Sequence, residues 1–163
     1  MTDSRDTPPA GAARHSLFGL TAPDERRVLI SSLARERRNL TPAEVRQLRR
    51  ALFEDEGVNR DEARALFDLD RAQDACCPEW TKFFVECLTD HVVWQAQPAG
   101  LVDHERAEWL LREAASTPSL AICALLANVL AEAHRAPRML IDAVKALAEA
   151  RDAQGAEYAR SQG

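Results

Sequence analysis

From Pro23 to about Asp152, apolar residues recur three and four positions apart, and the runs are separated by cap and stop signals. Val28, Leu29, Ile30 and Leu33 predict a helix over roughly 23–38. Thr41-Pro42-Ala43-Glu44 reads as a capping box with Pro at the first helical position, where no amide is needed. Val45, Leu48 and Leu52 follow on one face, and Gly57 supplies a left-handed stop. Asn59, with Glu62 three residues later, opens a helix whose inner face carries Ala63, Leu66, Phe67 and Leu69. Pro78 opens another, bearing Trp80, Phe83, Phe84, Cys87, Leu88 and His91. Gly100 ends the following turn, and Asp103 caps a helix with Ala107, Leu110 and Leu111. Thr117-Pro118 begins the most apolar segment, which runs to about His134 with Leu125 midway. Pro137 begins the last helix, with Leu140, Val144 and Leu147 inside. No segment alternates with period two. The expected fold is all-α, a compact bundle of about seven helices without a sheet.

The ends lack this periodicity. Residues 1–16 are rich in Pro, Gly and Ala and read as a disordered N-terminal tail. Apolar spacing stops near Asp152, so 153–163 read as a flexible C-terminal tail, leaving 17–152 as a single helical domain.

A weak helix-turn-helix repeat runs through the domain. Val58-Asn59 followed by Ala63, Leu66 and Phe67 matches Val102-Asp103 followed by Ala107, Leu110 and Leu111, 44 residues on. The outline is that of an EF-hand, but the ligands are not. With Gly100 as the sixth loop residue, Ala99 stands fifth and Arg106 twelfth, a cation where a bidentate Glu is needed. With Gly57 sixth, Leu52 is first and Ala63 twelfth. Neither turn is expected to bind calcium.

The segment Gly57-Val58-Asn59-Arg60-Asp61-Glu62-Ala63 is similar to segments of TerB-like helical proteins, named for tellurite resistance. The stretch from Leu40 to about Pro137 resembles an uncharacterised bacterial family. The likeness lies in Ala65-Leu66-Phe67-Asp68-Leu69, Trp80 with Phe83-Phe84, Thr89-Asp90-His91-Val92, and Glu108-Trp109-Leu110. It covers a little over half the chain through short, mostly apolar motifs. It implies an all-helical fold and an accessory, stress-related role, and no particular reaction. It brings no metal site, because the acidic cluster of a metal-binding TerB-like protein has no clear counterpart here.

Charge refines the picture. The net charge of the 163 residues is −5. Residues 1–53 hold ten Arg and six acids, a balance of +4, and the remainder is −9. An acidic majority argues against nucleic acid as the ligand, since phosphate contacts need a cationic face. Six Arg between Arg35 and Arg50, among them Arg46, Arg49 and Arg50, could instead meet an acidic protein partner. The four cysteines, Cys76, Cys77, Cys87 and Cys123, lack the spacing of a disulfide framework, and no charged-then-apolar leader opens the chain. A cytoplasmic protein with reduced thiols is the expectation. The apolar run Leu120–Ala131 is too short to span a bilayer, so no membrane association is expected.

Candidate chemistry is sparse. Cys87 and His91 lie four apart on one helix and, with Asp90, are the only suggestion of a metal site, but paired-ligand spacing is missing. Asp90 and His91 are neighbours whose side chains diverge on a helix, so an acid–base pair would need a third group. A Gly-x-Ser-x-Gly elbow, a phosphate loop and a dinucleotide fingerprint are all missing. Among the three tryptophans, Trp94 stands near a helix end before Pro98 and is the best candidate for exposure; Trp80 and Trp109 read as core. The sequence therefore predicts a non-enzymatic helical interaction or accessory module needing no cofactor and binding a protein through Trp94, Arg46, Arg49 and Arg50. The alternative is a metal-dependent stress protein or enzyme using Asp90 and His91.

Overall fold

The computed structural model describes residues 23–36, 39–53, 57–116 and 119–161. Seven α-helices occur among them: α1 Pro23–Arg35, α2 Pro42–Phe53, α3 Arg60–Ala72, α4 Pro78–Thr89, α5 His104–Ala115, α6 Leu120–Glu132 and α7 Arg138–Ser161. The all-α expectation is borne out. No strand forms among the described residues, apart from an isolated bridge between Leu101 and Arg135 that ties the α4–α5 loop to the α6–α7 loop. The segment read as an N-terminal tail, 1–16, lies outside the described residues.

The starts of the helices follow the cap chemistry. The Thr41 amide donates to Glu44 Oε2 at 2.9 Å, and the Glu44 amide donates to Thr41 Oγ1 at 3.4 Å, closing the expected box. Asn59 and Glu62 form a second box, and Asp103 accepts from the Arg106 amide. α6 differs from expectation. It begins at Leu120, with Ser119 accepting from the Ile122 amide as its cap, and ends at Glu132 rather than His134.

α7 also departs from the sequence reading. Burial ends where apolar spacing ends, and every residue from Ala148 to Ser161 is exposed, yet the helix runs on to Ser161. Residues 153–161, read as a flexible tail, are helical because Ala, Glu, Gln and Arg favour that conformation without tertiary help. Hydrophobic spacing reports burial and is silent about a solvated helix.

Helices pack chiefly on their next-but-one neighbours. α1 lies along α3 and α4 along α6, the two most extensive pairings; α2 meets α4, α3 meets α5 and α5 meets α7. One core results, filled by Leu48, Leu52, Leu66, Phe67, Trp80, Phe83, Phe84, Leu88, Leu110 and Leu125. Phe67 sits at its centre, with edge-on contacts to Phe84 at 5.4 Å and Trp109 at 5.9 Å. The repeat is real in this packing. Val58 and Val102 are buried, and so are Ala63 and Ala107, and Leu66 and Leu110. The preceding glycines, Gly57 at φ 99° and Gly100 at φ 80°, take the left-handed conformation that L side chains resist.

Candidate functional site

The residues singled out by sequence gather around one irregularity. After Thr89 the α4 helix widens into a π-turn, Asp90–Trp94, in which the Gln95 amide reaches back to the Asp90 carbonyl at 3.0 Å. Such insertions re-aim the side chains that follow and recur at functional sites. No residue pattern marks it, because an extra residue in one turn leaves both flanking periodicities intact.

The π-turn brings Asp90 and His91 into one hydrogen-bonded chain through Gln95. Gln95 Nε2 donates to Asp90 Oδ2 at 2.7 Å. His91 Nδ1 lies 2.7 Å from the Val58 carbonyl oxygen and 3.3 Å from Gln95 Oε1. Both are oxygens that accept, so Nδ1 carries the proton. The His91 ring also packs nearly perpendicular to that of Trp109, centroids 5.7 Å apart. Gln95 presses on the neighbouring turn so closely that a Cβ added to Gly57 would stand 1.9 Å from its Nε2. Asp90, Gln95 and His91 together clip the end of α4 to the α2–α3 turn.

Cys87, the third member of the weak metal alternative, is fully buried one turn earlier. Burial pushes its thiol well above the ordinary range, and the carboxylates of Asp90 and Glu62 push the same way. A protonated thiol is a poor ligand and a poor nucleophile. Among the described residues, no three His, Cys, Asp or Glu side chains converge as metal ligands would.

Trp94, at the end of the π-turn, is 38% exposed, whereas Trp80 is fully buried and Trp109 nearly so. It is not loose. Its Nε1 donates to Glu132 Oε2 at 2.8 Å, and its ring meets His134 edge-on at 5.7 Å. Glu132 is held in turn by Asn128 Nδ2 at 2.9 Å, and the same Asn128 donates to Thr89 Oγ1 at 3.1 Å. The indole is therefore held through its N–H and by a perpendicular ring contact while more than a third of the residue stays exposed.

The arginines divide by role. Arg49 clamps Glu86 of α4 with both guanidinium nitrogens, Nη1 at 3.0 Å, and lies over the rings of Phe53 at 5.5 Å and Phe83 at 5.9 Å. The hydrogen bond to Glu86 raises the Arg49 pKa and lowers that of Glu86. Both side chains are about two-fifths exposed, so solvent screens the pair and it adds less than about 1 kcal/mol. Arg46 and Arg50 are exposed. Arg46 and Arg49 border an open groove of about 510 Å³ between α2 and α4, with Val45, Glu79, Lys82 and Glu86. Three cations and two carboxylates alternate there, which suits a mixed-charge surface better than an anion site.

Sequence reasoning missed the buried charges. Asp70, 3% exposed, accepts from Trp80 Nε1 at 2.8 Å and Ser119 Oγ at 2.7 Å, with the Cys76 thiol at 3.6 Å. That sulfur is pushed up to about 12, first by its burial and then by Asp70. Glu62, fully buried, closes the Asn59 box and accepts from Arg26 Nε at 2.8 Å. Glu113 is buried and paired with Arg64 at 3.1 Å. The signal was present: Asp70 stands four beyond Leu66, and Glu113 three beyond Leu110, both on the inner stripe.

No helix of the described residues is long and apolar enough to cross a membrane. No family model, no curated protein and no solved structure matches this chain.

Proposed function

We propose that this chain is a non-enzymatic helical interaction module, working in the cytoplasm, that docks a protein partner at the surface around Trp94. The observation that carries this reading is a partly exposed indole that Glu132 and His134 already hold in place. A partner covering its face would lose little conformational freedom of the anchor on binding, which is what makes Trp an effective interface centre. The exposed cations Arg46 and Arg50 lie on α2 and contribute long-range steering; Arg49, engaged by Glu86, contributes shape instead. The acidic balance favours a protein over nucleic acid as the partner. An accessory role in stress response is what the TerB-like turn pattern adds to this reading.

The alternative chemistry through Asp90 and His91 draws less support, since both side chains hold Gln95 or Val58 within the fold. The test is affinity capture from native cells with the full chain and with Trp94→Ala, quantified by mass spectrometry. The expected result is a defined partner lost with Trp94→Ala at unchanged helicity. Identical captures by both proteins would refute the reading.

A further inference from the structure

Cys76 and Cys77 are neighbours in the loop that carries α3 into α4, and both are free thiols. Cys76 is exposed and Cys77 half-buried, whereas Cys87 is fully buried. Ordered groups position both. The Cys76 sulfur lies 3.6 Å from Asp70 Oδ1, on a carboxylate that Trp80 and Ser119 already fix. Cys77 is the N-cap of α4: its carbonyl accepts from the Trp80 and Thr81 amides, and Pro78 opens the helix. Its side chain makes no cap hydrogen bond, so the sulfur is left to turn toward its neighbour. The two thiols are near enough that the charge of Cys77 adds to the upward push on the Cys76 pKa. A direct disulfide between them is nonetheless strained. Adjacent Cα atoms stand about 3.8 Å apart across a trans peptide, and ordinary disulfides need about 4.4 Å or more.

We propose that Cys76 and Cys77 form a dithiol site for trivalent arsenic, which bridges the two sulfurs at the start of α4. An arsenic atom between the sulfurs adds a member to the ring that a direct S–S bond would strain. The binding step is a condensation. With phenylarsine oxide, two S–H bonds break and two As–S bonds form, and the arsenic-bound oxygen leaves with both thiol protons as one water. Arsenic stays trivalent and no electron moves, so neither oxidant nor reductant is needed. This route suits a thiol that burial and Asp70 keep protonated, because the proton departs on oxygen. A divalent ion such as zinc must instead expel the thiol protons to solvent, and it wants four ligands. Asp70, the nearest further donor, is already taken by Trp80 and Ser119. Among the described residues no third His, Cys, Asp or Glu joins the pair as a metal ligand. The site lies at the opposite end of α4 from Trp94 and does not depend on the docking reading.

The experiment adds phenylarsine oxide to the reduced full chain and follows the adduct by intact-mass spectrometry, beside Cys76→Ser, Cys77→Ser and Cys123→Ser. Circular dichroism checks that each variant keeps its helicity. The expected result is one arsenical per chain, with a mass gain equal to the reagent less one water. The adduct should survive an excess of a monothiol and be stripped by a small dithiol such as dimercaptopropanol. The second sulfur binds at high effective concentration, so Cys76→Ser and Cys77→Ser should each weaken retention by about a hundredfold or more. Cys123→Ser should retain the adduct as the parent does. Alkylation and peptide mapping of the loaded parent, which need no variant, should show Cys76 and Cys77 protected together and Cys123 still labelled. A parent that keeps no adduct against the monothiol overturns the proposal. Retention by Cys76→Ser or Cys77→Ser equal to the parent's also overturns it, as does protection of one of the two cysteines without the other.

Discussion

The buried Asp70 carboxylate provides the sharpest quantitative test of the fold. Its Oδ1 accepts from Trp80 Nε1 and its Oδ2 from Ser119 Oγ, so one side chain at the end of α3 fixes the first turn of α4 and the cap of α6. In Asp70→Ala the indole N–H, on a fully buried ring, loses its acceptor in a place water does not reach. Leaving such a donor unpaired costs about 1–3 kcal/mol, and hydrogen bonds to a charged group contribute about 1.5–3 kcal/mol net. Ser119 is only half-buried and can turn its hydroxyl to water, so its share is smaller. The expected loss is about 2–4 kcal/mol, a fall in Tm of about 5–15 °C for a chain of this length. Asp70→Asn keeps an oxygen for the indole and should lose roughly half as much. Pairing Asp70→Ala with Trp80→Phe should be less damaging than the sum of the two by about 1 kcal/mol or more, because the orphaned N–H is gone. Thermal and urea unfolding followed by circular dichroism measure the parent and all four variants. A Tm for Asp70→Ala within about 2 °C of the parent would refute the argument.

Other perturbations have equally definite outcomes. Leu125 is fully buried midway along α6, so Leu125→Ala should cost about 2.7–5 kcal/mol, and Leu125→Asp should prevent folding; native-like melting of the Asp variant would contradict the burial. Gly57→Ala sets a Cβ into Gln95 at a φ of 99° and should cost about 1–2 kcal/mol in backbone strain alone, which Gln95→Ala does not relieve; an unfolding midpoint equal to the parent's would count against it. Because the Cys76 pKa is raised to about 12, its thiol stays protonated in the folded protein, and thiolate forms only as pH climbs toward that value. Its alkylation rate should therefore rise with pH without levelling off below about pH 10, and Asp70→Asn should accelerate it; a plateau near pH 9 would show an unperturbed thiol.

The helices were legible in the sequence because their signals are local. Asn59 with Glu62, Asp103, and Thr41 with Glu44 each satisfy amides within three residues of themselves, so spacing alone reveals them. The paired stripes beginning at Ala63 and Ala107 were equally plain, since burial follows helical period. Two other features were not. The π-turn is one residue of slack between two regular segments, and nothing in Asp90-His91-Val92-Val93-Trp94 marks it. The partners of the buried acids lie far off in sequence: Arg26 is 36 residues from Glu62, and Ser119 is 49 from Asp70. Trp94 could be singled out as the outlying tryptophan, but the Glu132 and His134 that hold it come from α6 and the loop after it. Arg49 read as one cation of a run, and only the approach of α4 gives it Glu86.

The next-but-one order of packing bears on how the chain is made. α1 finds its main neighbour in α3, and α4 finds its own in α6, so in each case roughly 40 further residues must follow before the first helix of the pair is covered. At about 5–20 residues per second of synthesis, an apolar face waits on the order of 2–8 seconds for its cover. α2 and α5 emerge inside those intervals with few tertiary neighbours yet made, which is where local hydrogen bonds such as the Thr41–Glu44 capping box matter most. Synthesis thus falls into two waiting periods, the first closing as α3 emerges near Ala72 and the second as α6 emerges near Glu132. Between those points a chaperone would meet this protein as two successive short-lived clients rather than one.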